Sequence, residues 1–187
     1  MMLLYGEDVG NYHLLKIQIE KIMNKLLSTF KNQVFIPCSL VLENYNNEKE
    51  GKAYEACQFE LNGKKIISRS AKKTPKKSGQ FVTFWKRNAK GITCPFSDND
   101  EVDFYMVNVQ SEHRLGQFIF PKSELLKRGI ISTSLKEGKR GFRVYPRWDI
   151  PQNKQSRATQ AWQLNYFYEL ESTLDLELLN HLFAEFY

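Results

Sequence analysis

The sequence predicts a mixed α/β (α+β) fold, with a mainly antiparallel sheet of about five or six strands flanked by N- and C-terminal helices. Three observations support this prediction: helical spacing of apolar residues near the N-terminus, several short aromatic and β-branched segments in the middle, and helix-start signals in the last third. The length of 187 residues fits one domain, and the 42% of apolar residues is enough to fill a core. We therefore predict a single domain over residues 1–187.

The first predicted element is an amphipathic helix over about 12–31. Apolar residues recur there at spacings of three and four, with polar residues between them. They are Leu14, Leu15, Ile19, Ile22, Met23, Leu26, Leu27 and Phe30. The segment 43–52 that follows is polar and rich in turn formers, which predicts a loop.

A β-hairpin is predicted over 56–71. Asn62-Gly63 separates two short segments of apolar and polar residues, and both turn residues tolerate the positive φ angles of a tight turn. Aromatic and β-branched residues predict the remaining strands. These strands are expected at 79–87, 102–109, 116–120 and 142–145.

Helix-start signals occupy the last third of the chain. Pro121 favours a short helix immediately after it. Ser156 or Thr159 is expected to cap a helix over about 157–170, and Thr173 is expected to start the last helix.

Positive charge is concentrated in two segments. Residues 61–97 contain ten Lys or Arg and no Asp or Glu, and residues 122–147 contain eight Lys or Arg against two Glu. After Arg157 the chain has five acidic residues and no Lys or Arg. Like charges held close together repel one another, and an anionic partner offsets that cost. This distribution favours nucleic acid or another phosphate-bearing ligand as the partner, and a solvated charged face is the alternative.

Other classes of function lack their signatures in the sequence. No segment has the roughly 18 apolar residues of a membrane span, and the first residues do not resemble a signal peptide, so we expect a cytoplasmic protein that does not bind membranes. The three histidines and three cysteines are too widely spaced for a zinc site, and the cysteines are expected to be buried thiols. Motifs of serine hydrolases and of P-loop and dinucleotide-binding proteins do not occur. We predict no catalytic residue, metal or cofactor, and the sequence does not indicate an oligomeric state.

The segment 69–87 is the first candidate for phosphate contacts. Alternation along its second strand places Phe81, Thr83 and Trp85 on one face. Aromatic rings beside cations are typical of single-stranded nucleic-acid sites, because every base has a flat ring and every nucleotide a phosphate. Packing of these rings in the core is the alternative.

The segment 136–148 is the second candidate, since Gly138 and Gly141 bracket two cations and let the backbone approach an anion closely. The predicted contact residues combine both segments. They are Arg69, Lys72, Lys73, Lys76, Lys77, Gln80, Trp85, Lys86, Arg87, Lys139, Arg140 and Arg143.

An ordered set of motifs runs from about Tyr54 to Phe167: AKKTPKKSGQFVTFWKR, DFYMVNV, GQFIFPK, GKRGFRVYPRWD and TQAWQLNYF. In these motifs and their order the chain resembles the MepB family. The resemblance implies a restriction-endonuclease-like α/β architecture, in which a hairpin strand carries a carboxylate two residues before a lysine. Here the corresponding strand reads IISRSAKK, with Arg69, Ser70 and Ala71 where the acid is expected. A cation in place of that acid removes a metal ligand and implies a scaffold that holds phosphate without cutting it.

We therefore predict a protein of this family that binds nucleic acid through its phosphate backbone, without catalysis. Two alternatives stay open. One is a divalent-metal nuclease with an atypical site formed by Asp103, Glu55 and Lys72. The other is a module that binds a small phosphorylated ligand in a pocket too narrow for a polymer.

Overall fold

The computed structural model describes residues 23–171, 173 and 175–186. Its strands, in chain order, are β1 (Leu42–Asn47), β2 (Cys57–Leu61), β3 (Lys64–Ser70), β4 (Lys72–Thr74), β5 (Lys77–Thr83), β6 (Trp85–Arg87), β7 (Thr93–Pro95), β8 (Phe104–Ser111), β9 (Arg114–Pro121), β10 (Gly141–Val144) and β11 (Phe167–Leu170). Its α-helices are α1 (Lys25–Phe30), α2 (Lys122–Lys127), α3 (Lys154–Gln163) and α4 (Leu176–Leu182). A π-helical turn follows α1 at Lys31–Phe35, and 3₁₀ turns lie at Lys52–Tyr54, Leu164–Tyr166 and Ala184–Phe186.

Six strands form the main sheet, in the order β1-β2-β3-β8-β9-β11. Neighbouring strands are antiparallel except β3 and β8, which are parallel. A smaller antiparallel sheet has the order β10-β5-β4, and β6 pairs with β7. The predicted mixed, mainly antiparallel sheet is therefore confirmed.

The main sheet separates two hydrophobic clusters, because its central strands bury both faces. Along β8, Phe104 and Met106 join a cluster with residues of α1 and α4, whereas Tyr105 and Val107 join a second cluster. The three-stranded sheet packs on this second cluster through buried residues such as Val82. Its opposite face therefore lies at the protein surface.

The predicted hairpin is confirmed as β2 and β3. Asn62 and Gly63 adopt φ angles of +47° and +75°, as a tight turn that matches the strand twist requires. The strands predicted at 102–109, 116–120 and 142–145 correspond to β8, β9 and β10, and the helix predicted after Pro121 is α2.

The first predicted helix is wrong as one continuous element. Residues 23–24 are not helical, and α1 begins at Lys25, because the Asn24 side chain accepts a hydrogen bond from the Leu27 N–H at 2.8 Å and caps a new helix there. The part of the prediction at 12–22 lies outside the described residues.

Two predictions in the middle of the chain also need correction. The segment 43–52 contains most of β1, an edge strand in which Tyr45 is buried and the polar residues on either side of it are exposed. The single strand predicted at 79–87 divides at Phe84 into β5 and β6, which belong to different sheets. Phe84 is buried against the rings of Phe96 and Tyr105, so the chain turns inward at this residue.

The predicted helix over 157–170 is displaced and too long. Its cap is Asn153, which forms a capping box with Ser156, and the helix ends at Gln163. The next residues form β11, which gains its hydrogen bonds from β9. The last helix begins after Asp175, whose side chain accepts from the Leu178 N–H, and not at Thr173.

The thiols differ in exposure: Cys57 is buried, whereas Cys38 and Cys94 are half-buried, and none of the three forms a disulfide. Among the described residues, no helix has the length and apolar character needed to cross a membrane.

Candidate nucleic-acid interface

The three-stranded sheet joins the two basic segments of the sequence. Its central strand, β5, pairs with β4 on one side and with β10 on the other. Phe81 lies opposite Lys72 and opposite Arg143, so these three residues form one row across the sheet. Directly opposed residues point to the same side of a sheet. Cations from both segments therefore meet on one face.

We call this surface the outer face. It comprises Lys72 and Thr74 of β4, Phe81 and Thr83 of β5, and Arg143 of β10, all exposed or half-buried. The alternate residues, including Val82 and Val144, are buried on the other side. None of the three strands contains Asp or Glu. The outer face is thus positively charged and includes an aromatic ring.

The turn between β4 and β5 extends this positive charge. Lys72, Lys73, Lys76 and Lys77 are all exposed around it. Lys76 has a φ angle of +62° at the position after Pro75, which is the geometry of a type II turn. Lys73 lies opposite the buried Gln80 and so points to the other side of this sheet, where its Nζ donates to the Ser111 hydroxyl at 2.6 Å and its charge acts on the Asp149 carboxyl group.

Arg143 is held in place by neutral oxygen atoms. Its Nη1 donates to the carbonyl oxygens of Ser78 at 3.2 Å and Gly79 at 3.1 Å, and its Nη2 donates to the Thr74 hydroxyl. These bonds fix the guanidinium without an anionic partner. A preorganised cation of this kind binds an anion at a low cost in conformational entropy.

Two half-buried aromatic rings lie beside these cations. The rings of Tyr54 and Phe81 meet edge to face, with centroids 6.4 Å apart, and Lys72 Nζ lies 5.3 Å from the Tyr54 centroid. Neither ring belongs to a core cluster, so core packing does not explain Phe81. A Cβ atom on Gly141 would come within 2.5 Å of the Phe81 ring. Glycine at that position makes room for the ring.

A cavity of about 340 Å³ lies beside the free edge of β10, between this strand, the end of α2 and the start of α3. Arg128, Lys139 and Arg143 bring positive charge to its wall. Thr159 and Trp162 also line it. No Asp or Glu lines it. The Arg128 guanidinium lies 4.8 Å from the Trp162 ring centroid and is paired with Glu124 at 2.7 Å.

Gln163 fixes the edge of β10 to α3. It is fully buried; its Oε1 accepts from the Tyr145 N–H at 2.8 Å, and its Nε2 donates to the Arg143 carbonyl at 2.9 Å. The carboxamide thus replaces a neighbouring strand at this edge and sets the position of Arg143.

Two of the predicted contact residues are buried. Arg69 is 3% exposed, pairs with Glu48 at 2.7 Å and donates to the Ser68 carbonyl. Gln80 is 1% exposed, and its Nε2 lies 3.3 Å from the Gln110 carbonyl oxygen. The structure therefore places both side chains away from the outer face.

Three further predicted cations are paired with carboxylates. Lys86 pairs with Asp100, Arg87 with Glu50, and Arg140 with Glu137 at 2.9 Å. Trp85 is half-buried, with Arg87 at 5.8 Å from its ring centroid. The remaining predicted cations make no ion pair among the residues that the structure describes. These are Lys72, Lys73, Lys76, Lys77, Lys139 and Arg143.

Sequence reasoning missed Tyr54 and Arg128. Tyr54 follows a polar segment, and its place beside Phe81 depends on how β1 and β2 pair, which no local pattern records. Arg128 stands within the second basic segment, but the Trp162 ring that it contacts lies far along the chain, so no local pattern indicates their contact.

The atypical metal site with Asp103 and Glu55 is not assembled. Asp103 Oδ2 accepts from the Lys65 N–H at 2.8 Å, at the start of β3, whereas Glu55 accepts from the Ser70 hydroxyl at the other end of that strand. Five residues of strand separate these two points by about 17 Å. Within the described part of the chain, no three His, Cys, Asp or Glu side chains are grouped to hold a metal ion.

Comparisons with known proteins identify relatives of this fold. The MepB-like family model matches residues 48–169, which include the outer face and all the residues that line the cavity. A solved structure described as the crystal structure of MepB is 35% identical, with a TM-score of 0.69, and the match covers 81% of this chain and 100% of that chain.

A second solved structure, the bacterial homing endonuclease I-Ssp6803I, is 14% identical with a TM-score of 0.42, over 77% of this chain and 90% of that one; this likeness is too weak to support an argument. No curated protein matches the chain. The family match and the 35% identity establish that the chain belongs to the MepB-like family.

Proposed function

We propose that the protein binds nucleic acid through the phosphate backbone, at the outer face and the lysine-rich β4–β5 turn. The observation that carries the proposal is the row of Lys72, Phe81 and Arg143, which brings the two basic segments onto one face without a carboxylate in any of the three strands. Lys76 and Lys77 extend the positive surface at the turn, Lys73 adds charge on the other side of β4, and Lys139 lines the cavity beside Arg143.

The charge on this face favours a polymer of phosphates over a single anion. The lysine side chains of the turn are exposed, whereas Arg143 is fixed by neutral oxygens. Such an arrangement suits contacts with successive phosphates, which position the ligand without reading its sequence. Binding releases the counterions that surround nucleic acid, so the affinity falls as salt rises.

The proposal is tested with a quadruple variant in which Lys72, Lys73, Lys76 and Lys77 are all changed to Gln. We expect its affinity for a labelled oligonucleotide at low salt to be lower by about ten-fold or more, since the positive charge of the turn and its phosphate contacts are lost. Fluorescence anisotropy measures the affinity.

The matched control removes four lysines outside the three-stranded sheet: Lys25, Lys64, Lys90 and Lys127. This control has the same net charge, so an equal loss of affinity in both variants would show a general charge effect and contradict the proposed site. Absence of binding by the unmodified protein at about 50 mM salt would also contradict it.

The proposed function includes no catalytic step. Because the outer face has no carboxylates to hold a metal ion, we expect plasmid DNA to stay intact when it is incubated with the protein and Mg²⁺ or Mn²⁺. Cleavage that is lost in Asp103→Ala or Glu55→Gln would instead support the nuclease alternative.

The cavity beside β10 supports a second candidate function, the binding of a small phosphorylated ligand. Its volume, the Lys139 and Arg143 cations, the Glu124-paired Arg128 and the Trp162 ring suit one phosphate with a flat group attached. Competition by inorganic phosphate and free nucleotides against a labelled oligonucleotide separates the two candidates. Arg128→Gln weakens only cavity binding, whereas Lys76→Gln and Lys77→Gln weaken only binding at the outer face.

A further inference from the structure

We propose that the ligand of the outer face is single-stranded, with unpaired bases stacking on Tyr54 and Phe81. This inference rests on the proposed function, because it concerns the same surface. It adds the substrate class, which positive charge alone does not determine.

The rings of Tyr54 and Phe81 lie together at the protein surface. Tyr54 and Phe81 are half-buried, lie outside both core clusters, and contact each other edge to face. Aromatic side chains contribute most to stability when they are buried in a core. Two adjacent rings at the surface therefore have flat area available for another flat group.

Cations surround the two rings. Lys72 Nζ lies 5.3 Å from the Tyr54 centroid, and Lys72 and Arg143 flank Phe81 on the two neighbouring strands. A nucleotide whose base stacks on Phe81 has its phosphate within reach of a cation on either side. This combination of stacking rings and cations is the one used by proteins that bind single strands.

Single strands and duplexes differ in whether their bases are free to stack on a protein ring. Bases in a duplex already stack on each other and expose only their edges, so a duplex gains the charge contacts and none of the stacking. Sheet surfaces with exposed aromatic residues bind RNA single strands by the same physical principle.

The local backbone holds both rings in position. Gly141 allows the Phe81 ring to lie over β10, since a Cβ atom there would come within 2.5 Å of Phe81 Cζ. Tyr54 ends a 3₁₀ turn between Gly51 and Glu55, which have φ angles of +72° and +50°. The rings are therefore presented by defined turns and strands.

The experiment measures the affinity for a single-stranded oligonucleotide and for the duplex of the same sequence. The proteins are the unmodified chain, Phe81→Leu, Tyr54→Leu and Phe81→Tyr. We expect tighter binding of the single strand by the unmodified chain, and a loss of about five- to hundred-fold in Phe81→Leu and Tyr54→Leu for the single strand only. Phe81→Tyr keeps a stacking ring and is expected to retain the affinity.

Two controls make the test specific for bases. Ile36→Ala removes an exposed apolar side chain next to the first hydrophobic cluster, on the other side of the main sheet from the three-stranded sheet, and is expected to change the affinity by less than about two-fold. Inorganic polyphosphate carries the charge without bases, so its competition is expected to be unchanged in Phe81→Leu. If Phe81→Leu does not fold, Tyr54→Leu in the surface turn provides the same test.

The inference is overturned if duplex binds as tightly as the single strand, or if the leucine variants weaken both equally while the lysine variant still shows the charge effect. That result would support phosphate binding at the outer face and would exclude base stacking on Tyr54 and Phe81. Absence of salt-sensitive binding to either ligand overturns the proposed function and this inference together.

Discussion

Lys76 occupies a backbone conformation that a side chain disfavours, at the tip of the turn that carries four lysines. Its φ angle of +62° lies in the left-handed region, where glycine is free of the steric cost of about 1 kcal/mol or more. We predict that Lys76→Gly keeps or raises stability, by up to about 1 kcal/mol, while it weakens nucleic-acid binding by removing a charge. Urea unfolding and anisotropy measure the two effects.

Lys77→Gly is the matched control, because Lys77 belongs to strand β5 and gains nothing from glycine. A clear loss of stability in Lys76→Gly would show that its lysine is needed for the fold. Unchanged binding in that variant would exclude Lys76 from the contact surface.

Asp149 is a carboxylate in an unfavourable environment. Its Oδ2 is buried without a donor among the described residues, and burial raises the pKa of its carboxyl group, although the charge of Lys73 opposes this shift. A raised pKa in the folded state means that the contribution to stability is complete below the unfolded pKa and is lost as pH rises through the folded value.

We therefore predict that Asp149→Asn raises the melting temperature at pH 7, and that this gain disappears below about pH 3.5, where the carboxyl group is protonated. Thermal unfolding at several pH values measures it. Asp98→Asn, at an exposed position, is the control and is expected to show little change. A gain of the same size at all pH values would contradict the electrostatic explanation.

At the scale of elements, the contact between α3 and β10 determines where Arg143 lies. Gln163→Leu leaves the Tyr145 N–H and the Arg143 carbonyl without their partners inside the protein. We predict a loss of about 2–4 kcal/mol in the free energy of unfolding, because unsatisfied buried polar groups are costly. Urea denaturation measures this loss.

Gln155→Leu, at an exposed position of the same helix, serves as the control and is expected to stay within about 0.5 kcal/mol of the unmodified protein. If Gln163→Leu is equally mild, the carboxamide does not hold the edge of β10.

Elements with strong local signals were predictable from the sequence, and elements formed by distant pairing were not. Asn62-Gly63 specifies its hairpin within a few residues, and the aromatic and β-branched segment of β8 forms a strand that is buried on both faces. By contrast, β11 lies in a segment that also suits a helix, and its pairing with β9 decides between the two.

The candidate site shows the same division. Lys72 and Arg143 stand in basic segments that the sequence identifies, and the sheet brings these segments together. The burial of Arg69 against Glu48 depends on the pairing of β1 with β2. The position of the Tyr54 ring depends on the 3₁₀ turn between these two strands. The basic segments could therefore be predicted from the sequence, whereas the ion-pair partner of each cation could be identified only from the fold.

At the scale of the whole molecule, cations from both basic segments meet on one small sheet, and the part of the sequence after Arg157 has acidic residues and no Lys or Arg. A ligand of many phosphates is attracted to the first region and repelled by the second, so the charge distribution orients the encounter as well as stabilising the complex. This orientation weakens with salt, because the screening length is about 10 Å at 0.1 M.

The most direct test is the dependence of affinity on salt, measured by anisotropy for the unmodified protein and for the Lys72, Lys73, Lys76 and Lys77 quadruple glutamine variant. For a single strand, the slope of log affinity against log salt is about 0.7 per neutralised phosphate. We predict a steep slope for the unmodified protein and a slope smaller by up to about 3 for the variant. Equal slopes for the two proteins, or an affinity that does not change with salt, would contradict binding of the phosphate backbone at this face.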